Sequence, residues 1–332
     1  MDDRSTRTPE RRRVWSVDAH PDPRPTHRPD QSLDLALPAG RSRLPLDRPF
    51  SREEARRAGV ERRALERLLE QGELVRLMRG VYAAAALVDV PAVRVAAVAL
   101  AAGRADDAVV VDRTAAWLHG VDVAGWEQGP VPLDLRRRTP SPRGRSGPGW
   151  EDRDLVRRGP LVVTSALRTA VDLGRGGPEP FAAAALDRLL RVGALRHTEL
   201  LAELARWSGR TGAVRLRELA AGADGRAATA VESVLRLGWH RAALPTPAPG
   251  LLVRAGDRLV RLALGVADRQ FGAVLSGQLD RGEVATGDLA RLTDQGWRVV
   301  VLREDRVLHE DPALWGAHLV REFHQQLLAQ VG

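Results

Sequence analysis

Arginine is the residue with chemistry to offer in this sequence, and it recurs at useful spacings. Arg62, Arg63 and Arg67 fall on one side of a stretch whose other side carries Ala64, Leu65, Leu68 and Leu69 at helical spacing. Arg76 and Arg79 follow in a short hairpin-like run. A guanidinium donates paired hydrogen bonds to a guanine edge in the major groove and also neutralises phosphate, so this pattern points to duplex DNA. Glu66 and Glu70 share the same face and equally fit an ordinary solvated helix. A second set, Arg136, Arg137, Arg138, Arg143 and Arg145, is interrupted by Pro140, Pro142 and Gly144. A loop of that kind suits contact along phosphates without base reading, or simple solvation.

Acids and histidines give weaker signals. Glu232, Asp280, Glu283 and Asp288 are acids of the last third of the chain, and carboxylates hold Mg²⁺ only where the fold clusters them. Acids at helix starts also have an ordinary cause in the helix dipole, and Asp268 reads as a turn residue. The eight histidines show no His-x₃-His pair, so neither a metal site nor a cofactor is assigned. His119, just ahead of Gly120, suits a helix C-terminus through the macrodipole. Gly174-Arg175-Gly176-Gly177 ends a helix and lacks the strand–turn–helix setting of a phosphate cradle.

Composition narrows the chemistry further. All 51 basic residues among the 332 are arginine, and lysine, asparagine and isoleucine are missing, a bias that points to a GC-rich genome. The net charge of +8 is therefore discounted as evidence of function. Without cysteine there is no thiolate metal site and no thiol nucleophile; without lysine there is no Walker lysine and no Schiff base. Residues 130–160 hold eight arginines against four acids, whereas residues 250–332 hold ten against eleven, so a nucleic-acid footprint belongs to the front and middle of the chain. Met1-Asp2-Asp3-Arg4 opens no apolar segment, and no run is long enough to span a bilayer, so a cytoplasmic, nucleoid-associated protein without a membrane role is expected.

The elements that must position these residues fall into four stretches. Prolines at 9, 21, 23, 25, 29 and 38 with many charges predict a disordered tail over 1–45. Over 46–85, Ser51 and Glu54 form a capping box with Phe50 as its hydrophobic staple. A helix to Ala58, a second from Glu61 to Gln71 stopped by Gly72, and strands at 74–76 and 81–83 complete a winged helix-turn-helix. Over 86–225 the spacing predicts a helix opened by Pro91, strands at 109–111, 131–135 and 161–163, and helices at 114–119, 166–173, 179–192, 198–208 and 212–221. Gly222 to Ala228 reads as a hinge. Over 226–332 the order is α-β-β-β-α-β-α. The fold class is thus mixed α/β.

The run Phe50-Ser51, Gly59-Val60, Gly72-Glu73-Leu74-Val75-Arg76 and Arg79-Gly80-Val81-Tyr82 resembles the winged-helix domain of AbiEi-type antitoxins of type IV toxin–antitoxin systems. Arg113-Thr114-Ala115-Ala116-Trp117-Leu118-His119-Gly120 and Val163-Thr164-Ser165 with Arg168-Thr169-Ala170-Val171-Asp172-Leu173 resemble the region that follows in large actinobacterial members. The resemblance implies a transcriptional regulator that represses its own operon by binding operator DNA. It also implies a nucleotidyltransferase-like toxin and a second copy of the chain as partners. Val231-Glu232-Ser233, Leu237 and Gly296-Trp297-Arg298-Val299 resemble the restriction-like domain of very-short-patch repair endonucleases. Aligned on that type, Ala263, Val274 and Ser276 stand where its metal carboxylates belong, which leaves Glu232 as a vestige and implies a degenerate, inactive nuclease fold. The alternatives are a Mg²⁺-dependent endonuclease that uses Glu232 with Asp280 and Asp288, and a partner-binding antitoxin without a DNA role.

Overall fold

The computed structural model describes residues 44–103, 107–121, 130–138 and 149–331. The expected tail lies almost wholly outside these residues. Leu44, at its inner end, is buried with Leu46 against the first helices.

The N-terminal unit consists of β1 (Phe50–Ser51), α1 (Arg52–Arg57), α2 (Arg62–Glu70), β2 (Leu74–Met78) and β3 (Val81–Ala84), with sheet order β1-β3-β2. Ser51 Oγ accepts from Glu54 N at 3.1 Å, and Ser51 N donates to the Glu54 carboxylate at 2.8 Å, which is the expected capping box. Phe50 and Ala55, both fully buried, form the staple beneath it. α2 turns Leu65 and Leu68 into a core with Val60, Leu74 and Tyr82. It stops in a Schellman motif: Glu73 N donates to Leu68 O at 3.0 Å and Gly72 N to Leu69 O at 3.1 Å, with Gly72 at a φ of 72° that a Cβ would oppose.

The hairpin is no free-standing wing. Leu77, Met78, Val81 and Ala83 belong to the same core as Val93, Ala97, Val110 and Val163. Met78 pairs with Val131, whose N–H donates to Leu77 O at 2.8 Å. A boundary between residues 85 and 86 therefore separates two sequence regions that share one hydrophobic core.

The middle region comprises α3 (Pro91–Ala102), β4 (Ala108–Val110), α4 (Asp112–Leu118), β5 (Leu135–Arg137), β6 (Leu155–Arg158), β7 (Leu161–Thr164), α5 (Ala166–Gly176), α6 (Glu179–Arg191), α7 (His197–Glu203) and α8 (Ala213–Gly222). Its sheet runs β5-β4-β7-β6, with β4 and β7 parallel and both outer strands antiparallel. The strand expected at 131–135 is displaced to Leu135–Arg137. Pro132 has no N–H to offer a ladder, and Thr114 Oγ1 instead binds this segment, donating to Pro132 O at 2.6 Å and accepting from Asp134 N at 2.8 Å. Just ahead of β6, buried Asp154 accepts from Arg168 at 3.1 Å and Arg206 at 2.7 Å. Arg168, Arg175, Arg206 and Arg210 all stand over the Trp207 indole, 4.5 to 5.4 Å from its centre.

The C-terminal unit runs α9 (Ala230–Arg241), β8 (Ala248–Ala255), β9 (Arg258–Val266), β10 (Phe271–Leu275), α10 (Ser276–Asp280), α11 (Thr286–Asp294), β11 (Arg298–Leu302), α12 (Glu304–His309) and α13 (Pro312–Val331). The expected order holds, with a short additional helix, α10 or α12, ahead of each of its two later helices. The sheet is β11-β10-β9-β8, and β10 and β11 are its parallel pair. Trp239, Trp315, Leu319 and Phe323 cover one face; Val284 and Leu292 cover the other. Gly238 lets α9 approach the Trp315 ring so closely that a Cβ there would overlap it. The supposed hinge at 222–228 is tied down: Asp224 N donates to Asp187 at 2.8 Å and Ala228 N to Glu232 at 2.7 Å. Buried Asp187 on α6 is also ion-paired with buried Arg236 on α9, which joins the middle region to the C-terminal unit.

Candidate nucleic-acid interface

The apolar pattern that buries Leu65 and Leu68 leaves the opposite side of α2 in solvent, and Arg62, Arg63 and Arg67 are exposed there. Arg62 is held by Glu66, Nε to Oε1 at 2.7 Å. An exposed i,i+4 pair of this kind is weak and screened by solvent, so a phosphate competes with it. Arg63 and Arg67, one helical turn apart, have no carboxylate partner among the described residues. Arg76 on β2 and Arg79 in the β2–β3 turn are likewise exposed and unpaired among the described residues. The fold thus delivers five sequence-predicted arginines to the surface of one small unit. Glu54 is committed to the α1 cap: its hydrogen bond from the Ser51 backbone, with Arg48 beside it, holds the carboxyl below its usual range.

The second arginine set is arranged differently from expectation. Arg136 and Arg137 are not in a loop; they pair with Val109 and Ala108 on an edge strand, and Arg138 N donates to Asp107 O. All three side chains are exposed, but Arg136 is bound to Asp112 at 2.9 Å. Arg143 and Arg145 lie outside the described residues. Sequence reasoning missed Arg157 and Arg158, exposed on β6 at the opposite edge of the sheet, because Leu155-Val156-Arg157-Arg158 is too short and charged to signal a strand.

In the C-terminal unit Ala263 on β9 and Val274 on β10 are fully buried in hydrophobic clusters, and Ser276 opens α10, where its Oγ accepts from Glu304 N at 3.2 Å. Glu232 is buried, and both its oxygens are taken by Arg261 at 2.6 and 2.8 Å. Asp280, Glu283 and Asp268 are exposed. Asp288 corrects the expectation of a solvated helix start. It is fully buried, accepting from Ala285 N at 3.0 Å and pairing with Arg258 at 2.9 Å and Arg291 at 3.1 Å. Among the described residues no three histidine or carboxylate side chains stand close enough to hold a metal ion. His119 also departs from expectation. Burial pushes its pKa down, and its Nε2 lies 2.7 Å from Thr164 O, so the neutral ring ties α4 to β7 in place of a cation on the helix dipole.

Residues 46–85 match the family described as "Transcriptional regulator, AbiEi antitoxin". The AbiEi match spans the winged helix, from the segment before β1 to the end of β3, and contains Arg62, Arg63, Arg67, Arg76 and Arg79. Two proteins of Mycobacterium tuberculosis, from strains CDC 1551 and ATCC 25618, are each 28% identical over 281 residues. Those alignments cover 81% of this chain and all of each relative, and both relatives are named as uncharacterized proteins. The similarity thus extends well beyond the AbiEi winged helix. No solved structure matches the chain. Among the described residues no helix is long and apolar enough to cross a membrane.

Proposed function

We propose that this chain is a DNA-binding transcriptional regulator of the AbiEi antitoxin type. In this reading α2 enters the major groove of operator DNA, with Arg62, Arg63 and Arg67 toward the bases. Arg76 and Arg79 hold the backbone beside it, and Arg136, Arg137 and Arg138 add phosphate contacts. The carrying observation is the pair Arg63 and Arg67, exposed and unpaired among the described residues on the helix that falls within the family match. The protein acts at the nucleoid and takes a nucleotidyltransferase-like toxin and a second copy of itself as partners. Its C-terminal unit is a degenerate restriction-like fold kept for interaction. Ala263, Val274 and the Arg261-bound Glu232 support that last point, since none leaves a free carboxylate for Mg²⁺.

The test is fluorescence anisotropy on the gene's own upstream duplex and on a shuffled one, at two salt concentrations. Preference for the native duplex by about tenfold, or about 1.4 kcal/mol, at the higher salt supports the regulator reading. Arg62→Ala with Arg63→Ala abolishes that preference; unchanged affinity in this variant removes α2 from the interface. Point variants are required here because deleting residues 46–85 would strip Leu77, Met78, Val81 and Ala83 from the shared core.

A further inference from the structure

Beyond the C-terminal end of β4 lies a cavity of about 480 Å³, lined in part by Asp112, Asp134, Asp172, Arg136, Arg175 and Thr211. Its volume is in the range of sites that enclose an organic ligand of nucleotide size, roughly 300–1,000 Å³. Its polar groups are only partly used. Asp134 is committed to α4, accepting from Arg113 N at 3.1 Å. Asp112 meets Arg136 through Oδ2 at 2.9 Å, and Asp172 accepts from Arg168 Nε through Oδ2 at 2.9 Å. Among the described residues, Oδ1 of Asp112 and Oδ1 of Asp172 accept no hydrogen bond.

Arg175 supplies the complementary feature. Its Nε donates to Thr211 O at 3.0 Å and its guanidinium stacks on Trp207, but its two terminal amino groups donate to nothing among the described residues. No carboxylate lies within ion-pair distance of it among those residues, and burial, together with Arg168 and Arg210, lowers its pKa against the opposing pull of Asp172. Arg210 stands over the same indole, exposed and likewise without a carboxylate partner among the described residues. One cavity therefore combines free carboxylate acceptors with an uncompensated guanidinium fork. A metal does not answer to this arrangement, because no three ligating side chains converge among the described residues.

We propose that this cavity binds a nucleoside monophosphate whose base carries an exocyclic amino group. The phosphate takes the Arg175 fork in the bidentate manner guanidinium favours. The amino group donates to the open oxygens of Asp112 and Asp172. A base that presents a carbonyl at that place forfeits these hydrogen bonds and leaves those acceptors facing another acceptor. The same chemistry occurs in a free nucleotide and at the 5′-phosphorylated end of a nucleic-acid strand. The inference is independent of operator binding by α2.

Isothermal titration of the full chain with AMP, CMP and UMP tests it. AMP and CMP bind at least about tenfold tighter than UMP. Arg175→Gln weakens AMP about tenfold or more and leaves adenosine unchanged, and Asp112→Asn narrows the gap between CMP and UMP. Absence of saturable binding at millimolar nucleotide overturns the proposal. So does equal binding of UMP and AMP, or an Arg175→Gln effect that is nil or equal for AMP and adenosine. A short single strand with a 5′-phosphorylated adenosine distinguishes the sources: tighter, Arg175-dependent binding than AMP assigns the site to a strand end, and weaker binding to the free nucleotide. Thermal melts check that each variant is folded, and Asp112→Asn carries the test alone if Arg175→Gln is not.

Discussion

Glu232 on α9 and Arg261 on β9 meet carboxylate to fork, Oε1 to Nη1 at 2.6 Å and Oε2 to Nη2 at 2.8 Å. The carboxylate is buried and the guanidinium half-buried, and the pair fastens the helix to the sheet beside Ala263. Its hydrogen bonds to Glu232 raise the arginine's pKa. Glu232→Gln should therefore destabilise the protein by about 1–3 kcal/mol, the cost of weakening a charge-assisted bond and stranding part of its partner. Urea unfolding measures this. An empty metal site would give the opposite sign, because removing one member of an uncompensated acid cluster relieves repulsion.

Asp187→Asn should cost more, about 3–5 kcal/mol, since it leaves Arg236 buried without its counter-charge. The pair spans α6 and α9, so the loss should also loosen the coupling between the middle and C-terminal regions. Scanning calorimetry would then resolve two transitions where the wild type shows one. Asp187→Leu with Arg236→Met should recover most of the loss, because a dry apolar pair carries no desolvation cost.

Alanine at both Arg76 and Arg79 should flatten the salt dependence of DNA binding. Each phosphate contact contributes about 0.9 to the slope of log affinity against log salt, so two lost contacts lower it by about 2. Preference for the native duplex should survive, in contrast to the variant with Arg62 and Arg63 replaced. An unchanged slope would show that the hairpin stands clear of the DNA.

Acid should weaken the fold partly through His119. Burial depresses its folded-state pKa below the ordinary value of 6.5, and its Nδ1 has no hydrogen-bond partner among the described residues. A group with a depressed pKa supports the fold fully above its unfolded value and loses that support as pH falls below it. The melting temperature should therefore drop between about pH 7 and pH 5. His119→Gln, which can still donate to Thr164 O, should flatten that limb; an identical pH profile in the variant would exclude His119 as its source. Asp172 and Asp187, raised by burial, act with the opposite sign and nearer the carboxylate range.

Gly238→Ala should destabilise the C-terminal unit by about 1–3 kcal/mol, because the added methyl meets the Trp315 ring. Chemical denaturation followed by tryptophan emission reports this directly, since Trp239 and Trp315 sit in that cluster. A neutral substitution would mean that α9 and α13 shift apart at little cost.

What the sequence disclosed was whatever its chemistry settles within a few residues. The Ser51–Glu54 box, the Gly72 stop, Pro91 at a helix start and the apolar face of α2 are all local, and all were legible. Pairings across long separations were not. Nothing in Glu232 announces a partner 29 residues away at Arg261, and nothing in Leu77 or Met78 shows that they face Val131 in preference to solvent. β1 is two residues long and β6 carries two arginines, so neither shows the alternation by which a strand is recognised. Asp288 illustrates the same limit. Its place at a helix start was readable, but not its partner Arg258, which arrives from β9.

The shared core beneath β2 and β3 has a geometric consequence. A reading head on a loose tether samples many orientations and tolerates variable spacing in its target. Here β2 and β3 share their core with the middle region, so under the proposed function the head and that body would move together as a caliper. Under the proposed function, two copies joined through their bodies would hold their reading helices at one fixed separation and one fixed rotation. Such a pair accepts half-sites a whole helical turn apart, about 10 base pairs or a multiple. Moving one half-site by half a turn carries it to the far side of the duplex, where the second helix cannot follow.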